Sequence, residues 1–242
     1  MRNYATAQNI GGREIQCDAT AVRTAPNGTR AYALLDGIGT SDEVRDWTRR
    51  AAAQVAQAAA HRADAEAGLR AVYRRYAADE LRQDRYMRQY MPSACALVAA
   101  TTPGSDRLTV AWCGDVRAYL LVDGTLQRLT EDHNMRRLFP DGGSRHLVTT
   151  YLGAPYTDEE AKSQCGHPAI EATERRVTHA RLLLACDGAY EPHEDTGADI
   201  AQLLGGTPLQ AARRVVADAV AAASVLTNRP DNSTALVADL QV

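Results

Sequence analysis

Short runs rich in Val, Leu and Ala, several of them closing on an aspartate, restrict most strongly what this chain can fold into. Asp18 follows GREIQC, Asp36 closes YALLD, Asp187 closes LLLACD, and Asp231 stands just before STALVADL. Three of these four adjoin a run that reads as a buried strand, which places the carboxylates at strand ends, facing one shared rim of a sheet core. Oxygen ligands on rigid elements suit hard divalent cations such as Mg²⁺ or Mn²⁺. Two such ions, roughly 3.5–4 Å apart, can activate a water and clamp a transferring group.

The pattern between the aspartates sorts into strands and helices. Runs at 17–23 and 30–35, parted by the turn residues PNG, predict a hairpin. Thr40 to Glu43 (TSDE) then has the form of a capping box and predicts a long helix to about His61. A second helical segment is predicted over about 63–91, stopped by Pro92. Its Tyr73, Tyr76, Tyr86 and Tyr90 lie among arginines, but Asp79, Glu80 and Asp84 interrupt them, so the face reads as solvated and not as a nucleic-acid stripe. From Ala94 the period becomes two. CALVAATT, RLTVAWCG, VRAYLLV and TLQRLT, joined by PGSD, Gly114-Asp115 and the simple hairpin turn Asp123-Gly124, predict an antiparallel meander. The polar stretch at about 132–175 reads as a surface insertion, or flap, of functional weight. A strand over 180–186, a helix opened by Thr207-Pro208 and a final strand in STALVADL complete the chain. Two groups of strands with amphipathic helices between them predict an α+β fold. It would be a four-layer α-β-β-α sandwich, with two antiparallel sheets face to face and helix pairs outside.

Composition narrows the function classes. With 242 residues and 45% hydrophobic content the chain can bury a sizeable core, and one domain over 1–242 is expected. A net charge of −3 argues against binding nucleic acid or an anionic membrane surface. The five cysteines are widely spaced without a CxxC pair, so neither a disulfide framework nor a zinc site is indicated. No charged-then-apolar leader is recognisable, and the expected location is the cytoplasm.

Taken in order, REIQCD, DGIG, GDVRAYL, LTEDHN, LLLACDG and DNST resemble the motifs of the metal-dependent protein phosphatases of type 2C, the PPM family, in its bacterial form. The resemblance runs over nearly the whole chain. It implies hydrolysis of phosphoserine or phosphothreonine in a protein substrate, such as the target of a serine/threonine kinase. The reaction would proceed by attack of a hydroxide bridging two Mn²⁺ or Mg²⁺ ions, without a phosphoenzyme. By the same resemblance Asp36 bridges both ions and the Gly37 carbonyl meets the second. Asp187 and Asp231 complete the first, and Asp18 holds metal-bound water. Asp115 matches a carboxylate that helps hold a third, weaker ion, and Glu191 takes the place of a nearby acidic residue. Arg13 falls on the phosphate-binding arginine, whose guanidinium can pair two phosphate oxygens in a fixed fork. Clustered carboxylates of this kind repel one another unless cations neutralise them.

Three positions depart from the family pattern. Ile38 replaces a histidine often proposed to protonate the leaving alkoxide. Cys17 replaces a Glu or Gln that meets the second metal through water, and a neutral thiol is a poor acceptor there. Val116 replaces a serine with little expected consequence, and His133 reads as structural. Cys17 and Ile38 keep open an alternative, a catalytically weakened member that binds a phosphoprotein or a kinase as a regulator. A phosphatase for small phosphoesters is a third reading.

Overall fold

The computed structural model describes residues 3–227 and 229–241. Among the described residues, ten strands form two antiparallel sheets. One has the order β1-β10-β9-β6-β7 and the other β2-β3-β4-β5-β8. In chain order the strands are β1 (Tyr4–Asn9), β2 (Ala19–Thr24), β3 (Arg30–Ile38), β4 (Ser93–Thr101), β5 (Arg107–Cys113), β6 (Arg117–Val122), β7 (Thr125–Arg128), β8 (Glu171–Arg176), β9 (His179–Ala185) and β10 (Ser233–Gln241). The helices are α1 (Asp42–Arg62), α2 (Ala65–Ala77), α3 (Glu80–Gln83), α4 (Met135–Leu138), α5 (Asp158–Cys165), α6 (Asp187–Thr196), α7 (Ile200–Leu203) and α8 (Pro208–Leu226). Helices α1 and α2 pack on the sheet containing β3, while α6 and α8 pack on the sheet containing β10. This is the expected α-β-β-α sandwich.

Alternation along the strands builds both layers of core. Tyr32 and Leu34 of β3, with Leu97 of β4, face the other sheet and meet Leu182, Leu184 and Leu236. Ala31, Ala33, Leu35, Ala96 and Val98 point the opposite way, against Ala51, Val55 and Ala59 of α1 and Leu69 and Val72 of α2. Small side chains on that face let helix and sheet approach closely, and the leucines fill the inter-sheet layer. Among the described residues no helix is long and apolar enough to cross a membrane.

Several local expectations are corrected. The cap of α1 is Ser41, not Thr40: its hydroxyl accepts from the Val44 N–H at 3.2 Å. The stretch 63–91 is not one helix. Asp79 accepts from the Leu81 N–H, and Asp84 from those of Tyr86 and Met87, so each aspartate starts a new turn. Tyr73 is buried and Tyr76 partly so, against the expectation of a solvated tyrosine face, while Tyr86 and Tyr90 are exposed. Arg82, 2% exposed, donates to the carbonyls of Gly153 and Pro92 and lies over the Trp47 and Tyr76 rings. The meander is divided: β4 and β5 belong to one sheet, and β6 and β7 to the other. The chain changes sheet at Gly114-Asp115. Within 132–175, the last residues form edge strand β8, paired with β5 through Ala111↔Ala172.

Candidate metal centre

The sheet registers bring the aspartates to one end of the sandwich. Asp36 lies near the end of β3, opposite Cys95. Asp18 directly precedes β2, whose Ala19 pairs with Leu35. Asp115 lies where the chain passes from β5 to β6, and Asp187 is the first residue of α6, directly after β9. Asp231 stands two residues before β10, whose Ala235 pairs with Ala185.

Backbone contacts seat these carboxylates. Asn232 ties three segments together: its Oδ1 accepts from the Cys17 N–H at 2.8 Å and its Nδ2 donates to the Ile10 carbonyl at 2.9 Å. Thr234 Oγ1 donates to Asp18 Oδ2 at 2.6 Å. The Cys186 thiol accepts from the Thr234 N–H at 3.1 Å and donates to the Asn232 carbonyl at 3.4 Å. Two glycines are required by close approach. A Cβ on Gly37 would lie 2.6 Å from the Cys17 carbonyl oxygen, and one on Gly188 2.2 Å from that of Asn232. Asp187 and Asp231 each accept from the next residue's N–H, at 2.6 and 2.7 Å, which fixes both carboxylates on tight turns.

The electrostatics show convergence most directly. Burial, reinforced by repulsion from Asp18, Asp187, Asp115 and Asp231, holds the Asp36 carboxyl well above the ordinary carboxylate range. Burial pushes Asp18 up to about 7 against a hydrogen bond from Thr234, with Asp187 and Asp231 raising it further. Asp115 is likewise pushed to about 7 by burial and by Asp187. Burial and Asp231 raise Asp187. Glu191 rises to about 8, through burial and Asp187, despite Arg145 nearby. A cluster of carboxylates whose charges are this costly fits hard divalent cations, which would offset the repulsion. Ligand atoms of Asp18, Asp36 and Cys186 lie within 4.8 Å of one another, as do those of His146, Asp187 and Glu191.

A stability prediction follows. From about pH 6.5 to about pH 8 the folded, chelated chain binds more protons on Asp18, Asp115 and Glu191 than the unfolded chain does. Its stability should therefore fall as pH rises through that window. Below it, His133, held down to about 4 by burial, and His167, also lowered, act with the opposite sign. Thermal unfolding in chelator should show a falling Tm across the window, and Mn²⁺ should flatten or reverse the slope. A rising Tm in chelator would contradict this assignment.

The other singled-out residues have definite places. Arg13, exposed at the cleft, donates to Asp231 Oδ2 at 2.5 Å. Cys17 is buried with its thiol 3.9 Å from the Ser41 carbonyl, and burial raises its pKa. Ile38 is exposed, and Val116 lies in the inter-sheet core. His133 is buried between Thr150 at 2.6 Å and Glu171 at 3.0 Å, and its backbone N–H donates to the carbonyl of Gly114, next to Asp115, at 3.0 Å. Arg117 is held by Asp132 through two bonds of 2.9 and 2.7 Å and stacks on Tyr190, whose hydroxyl donates to the Asp115 carbonyl. The matched GDVRAYL and LTEDHN segments thus meet in one network. Asn232, Thr234, Cys186 and His146 were not anticipated at the site. The matched DNST and LLLACDG segments contained the first three of these without marking their roles.

Comparison with known proteins places the chain in a family. The family profile described as Protein phosphatase 2C matches residues 9–138, more than half of the chain. Human "Probable protein phosphatase 1N" is 28% identical over 200 residues, covering 74% of this chain and 46% of its own length. Human "Protein phosphatase 1F" is 28% identical over 242 residues, covering 88% of this chain and 49% of its own. The chain spans about half the length of these curated relatives. The solved Mycobacterium tuberculosis serine/threonine phosphatase PstP/Ppp shares the fold, with a TM-score of 0.71 at 24% identity over 99% of this chain and 98% of that one. The fold is that of a protein phosphatase 2C domain. The chain belongs to the protein phosphatase 2C family.

Proposed function

We propose that this chain hydrolyses phosphoserine and phosphothreonine in proteins, with two Mn²⁺ or Mg²⁺ ions as cofactors. The supporting observation is the convergence of Asp18, Asp187, Asp115 and Asp231 on Asp36, each raising its pKa. Asp36, the Gly37 carbonyl, Asp187 and Asp231 would hold the two ions, Asp18 would hold water beside them, and Asp115 with Glu191 would serve a third, weaker ion. Bound there, divalent cations supply Lewis acidity and lower the pKa of water toward neutrality. The protein's own part is positional. The backbone bonds to Asp187 and Asp231 fix ligand direction, and the Thr234 hydroxyl keeps one Asp18 oxygen turned inward. The setting proposed is cytoplasmic, with the targets of a serine/threonine kinase as substrates and the segment 132–175 acting as the flap of one domain.

Arg13, paired with Asp231 beside the cluster, is the residue we assign to pair with phosphate oxygens. Arg13→Ala should raise KM and lower kcat/KM for an aryl phosphate by roughly ten- to a hundred-fold, the scale of one charge-assisted pair. Steady-state kinetics in saturating Mn²⁺ measures this, and unchanged constants would make Arg13 a surface residue. The alternative, a regulator that binds a phosphoprotein or kinase without turnover, draws on Cys17, whose buried thiol faces a carbonyl and offers no hard oxygen.

A further inference from the structure

Beside the acidic cluster lies a cavity of about 200 Å³ with Asp187 and Asp231 on its wall. Its lining includes an apolar patch of Pro192 of α6, Ala223 and Leu226 of α8, and Pro230, together with the carboxylates of Glu191 and Asp195. Leu226 is 49% exposed, although it adjoins so polar a centre. The segment 132–175 contributes Arg145 and His146 to the lining. Arg145 donates through both terminal nitrogens to Asp195 at 2.7 and 2.6 Å, and its Nε lies 3.2 Å from Glu191. At the rim stands Arg229, an exposed guanidinium that makes no ion pair with any described residue, whereas Arg13 and Arg145 are both paired.

We propose that this cavity is a specificity subsite for the phosphoprotein substrate. It takes one aliphatic side chain close to the phosphorylated residue, and Arg229 pairs with an acidic residue next to it. The inference rests on the proposed phosphatase reading, since the phosphoryl group would sit over Asp187 and Asp231 and the adjoining chain would pass into the cavity. An apolar patch without its own filling side chain gains from desolvating an aliphatic group. A guanidinium without a partner selects a carboxylate by charge complementarity. The flap and the last turn of α8, and not the metal ligands, would thus choose among substrates.

The experiment uses the full chain in Mn²⁺ with phosphothreonine peptides in which the flanking positions carry glycine, leucine, or leucine followed by glutamate. p-Nitrophenyl phosphate, which has neither an aliphatic side chain nor a carboxylate beside the phosphoryl group, is the control substrate. Wild type should prefer the leucine–glutamate peptide by about ten-fold or more in kcat/KM, the scale of filling an apolar pocket. Ala223→Leu should remove the leucine preference, and Arg229→Glu the glutamate preference, with the control rate within about two-fold of wild type. Leu226→Asp, at a half-exposed position that tolerates polarity, should remove the leucine preference if Ala223→Leu fails to fold. Equal kcat/KM for all peptides, or parallel losses on peptide and control, would overturn the subsite. Peptide binding by fluorescence anisotropy separates the two claims. Retained preference in binding without any hydrolysis would sink the phosphatase reading and uphold the pocket, whereas uniform affinities would sink the pocket.

Discussion

Replacing Asp36 by asparagine is expected to lower the rate of aryl phosphate hydrolysis by at least about a hundred-fold, with the fold intact. The reason lies in position as well as charge. Asp36 lies near the end of the interior strand β3, held on both sides by β2 and β4, and four other carboxylates raise its pKa. It is the one ligand proposed to serve both cations, so its loss impairs both sites at once. A hundred-fold loss corresponds to about 2.7 kcal/mol of transition-state stabilisation. Asparagine is isosteric and removes repulsion, so the variant should unfold at the same or a higher temperature than wild type in chelator. Full activity in Asp36→Asn would remove this residue from the centre.

The second large effect concerns Gly188→Ala. A methyl group there would lie 2.2 Å from the Asn232 carbonyl oxygen and 3.3 Å from the Asp231 Cβ, and the nearer contact is backbone that cannot rotate away. Relief requires the first turn of α6 to move off the 231–232 turn, which separates Asp187 from Asp231. Overpacking of this kind costs about 1–3 kcal/mol. The loss in cation affinity should be larger in consequence, about ten-fold or more, because ligand spacing must match a small ion. Calorimetric titration with Mn²⁺, run beside a thermal melt, reads both. Unaltered Mn²⁺ affinity would show that the 187–188 and 231–232 turns need not touch.

Much of the fold was legible because β3, β4, β5, β9 and β10 carry apolar alternation or an unbroken apolar run. Their ends were legible too, since an aspartate cannot continue such a run without a partner. Two of the four edge strands were not. β8 reads EATERR and β1 reads YATAQN, each with one face open, so neither has an apolar run to mark it. The break after Ala77 was hidden because Asp79 and Asp84 fit a charged helix face as well as they fit caps. The change of sheet at Gly114-Asp115 looks locally like any turn, and only the pairing of β6 with β9 reveals it. Asp36, Asp187 and Asp231 were marked by their strands. Their supports were not, because Asn232 to Cys17, Thr234 to Asp18 and Arg145 to Asp195 join residues 215, 216 and 50 positions apart. No local pattern records such contacts. Cys17 shows the limit from the other side: it occupies a motif position, yet its thiol turns toward Ser41.

The central claim is that the carboxylates around Asp36 hold divalent cations which the reaction requires. The most direct measurement is release of phosphate from a phosphothreonine peptide, followed while Mn²⁺ is titrated into chelator-treated protein, with Asp36→Asn in parallel. The account predicts no release without added cation, a rate that rises and saturates with Mn²⁺, and a variant that stays near background throughout. Phosphate release that persists in excess chelator, or that Asp36→Asn sustains at the wild-type rate, would contradict it.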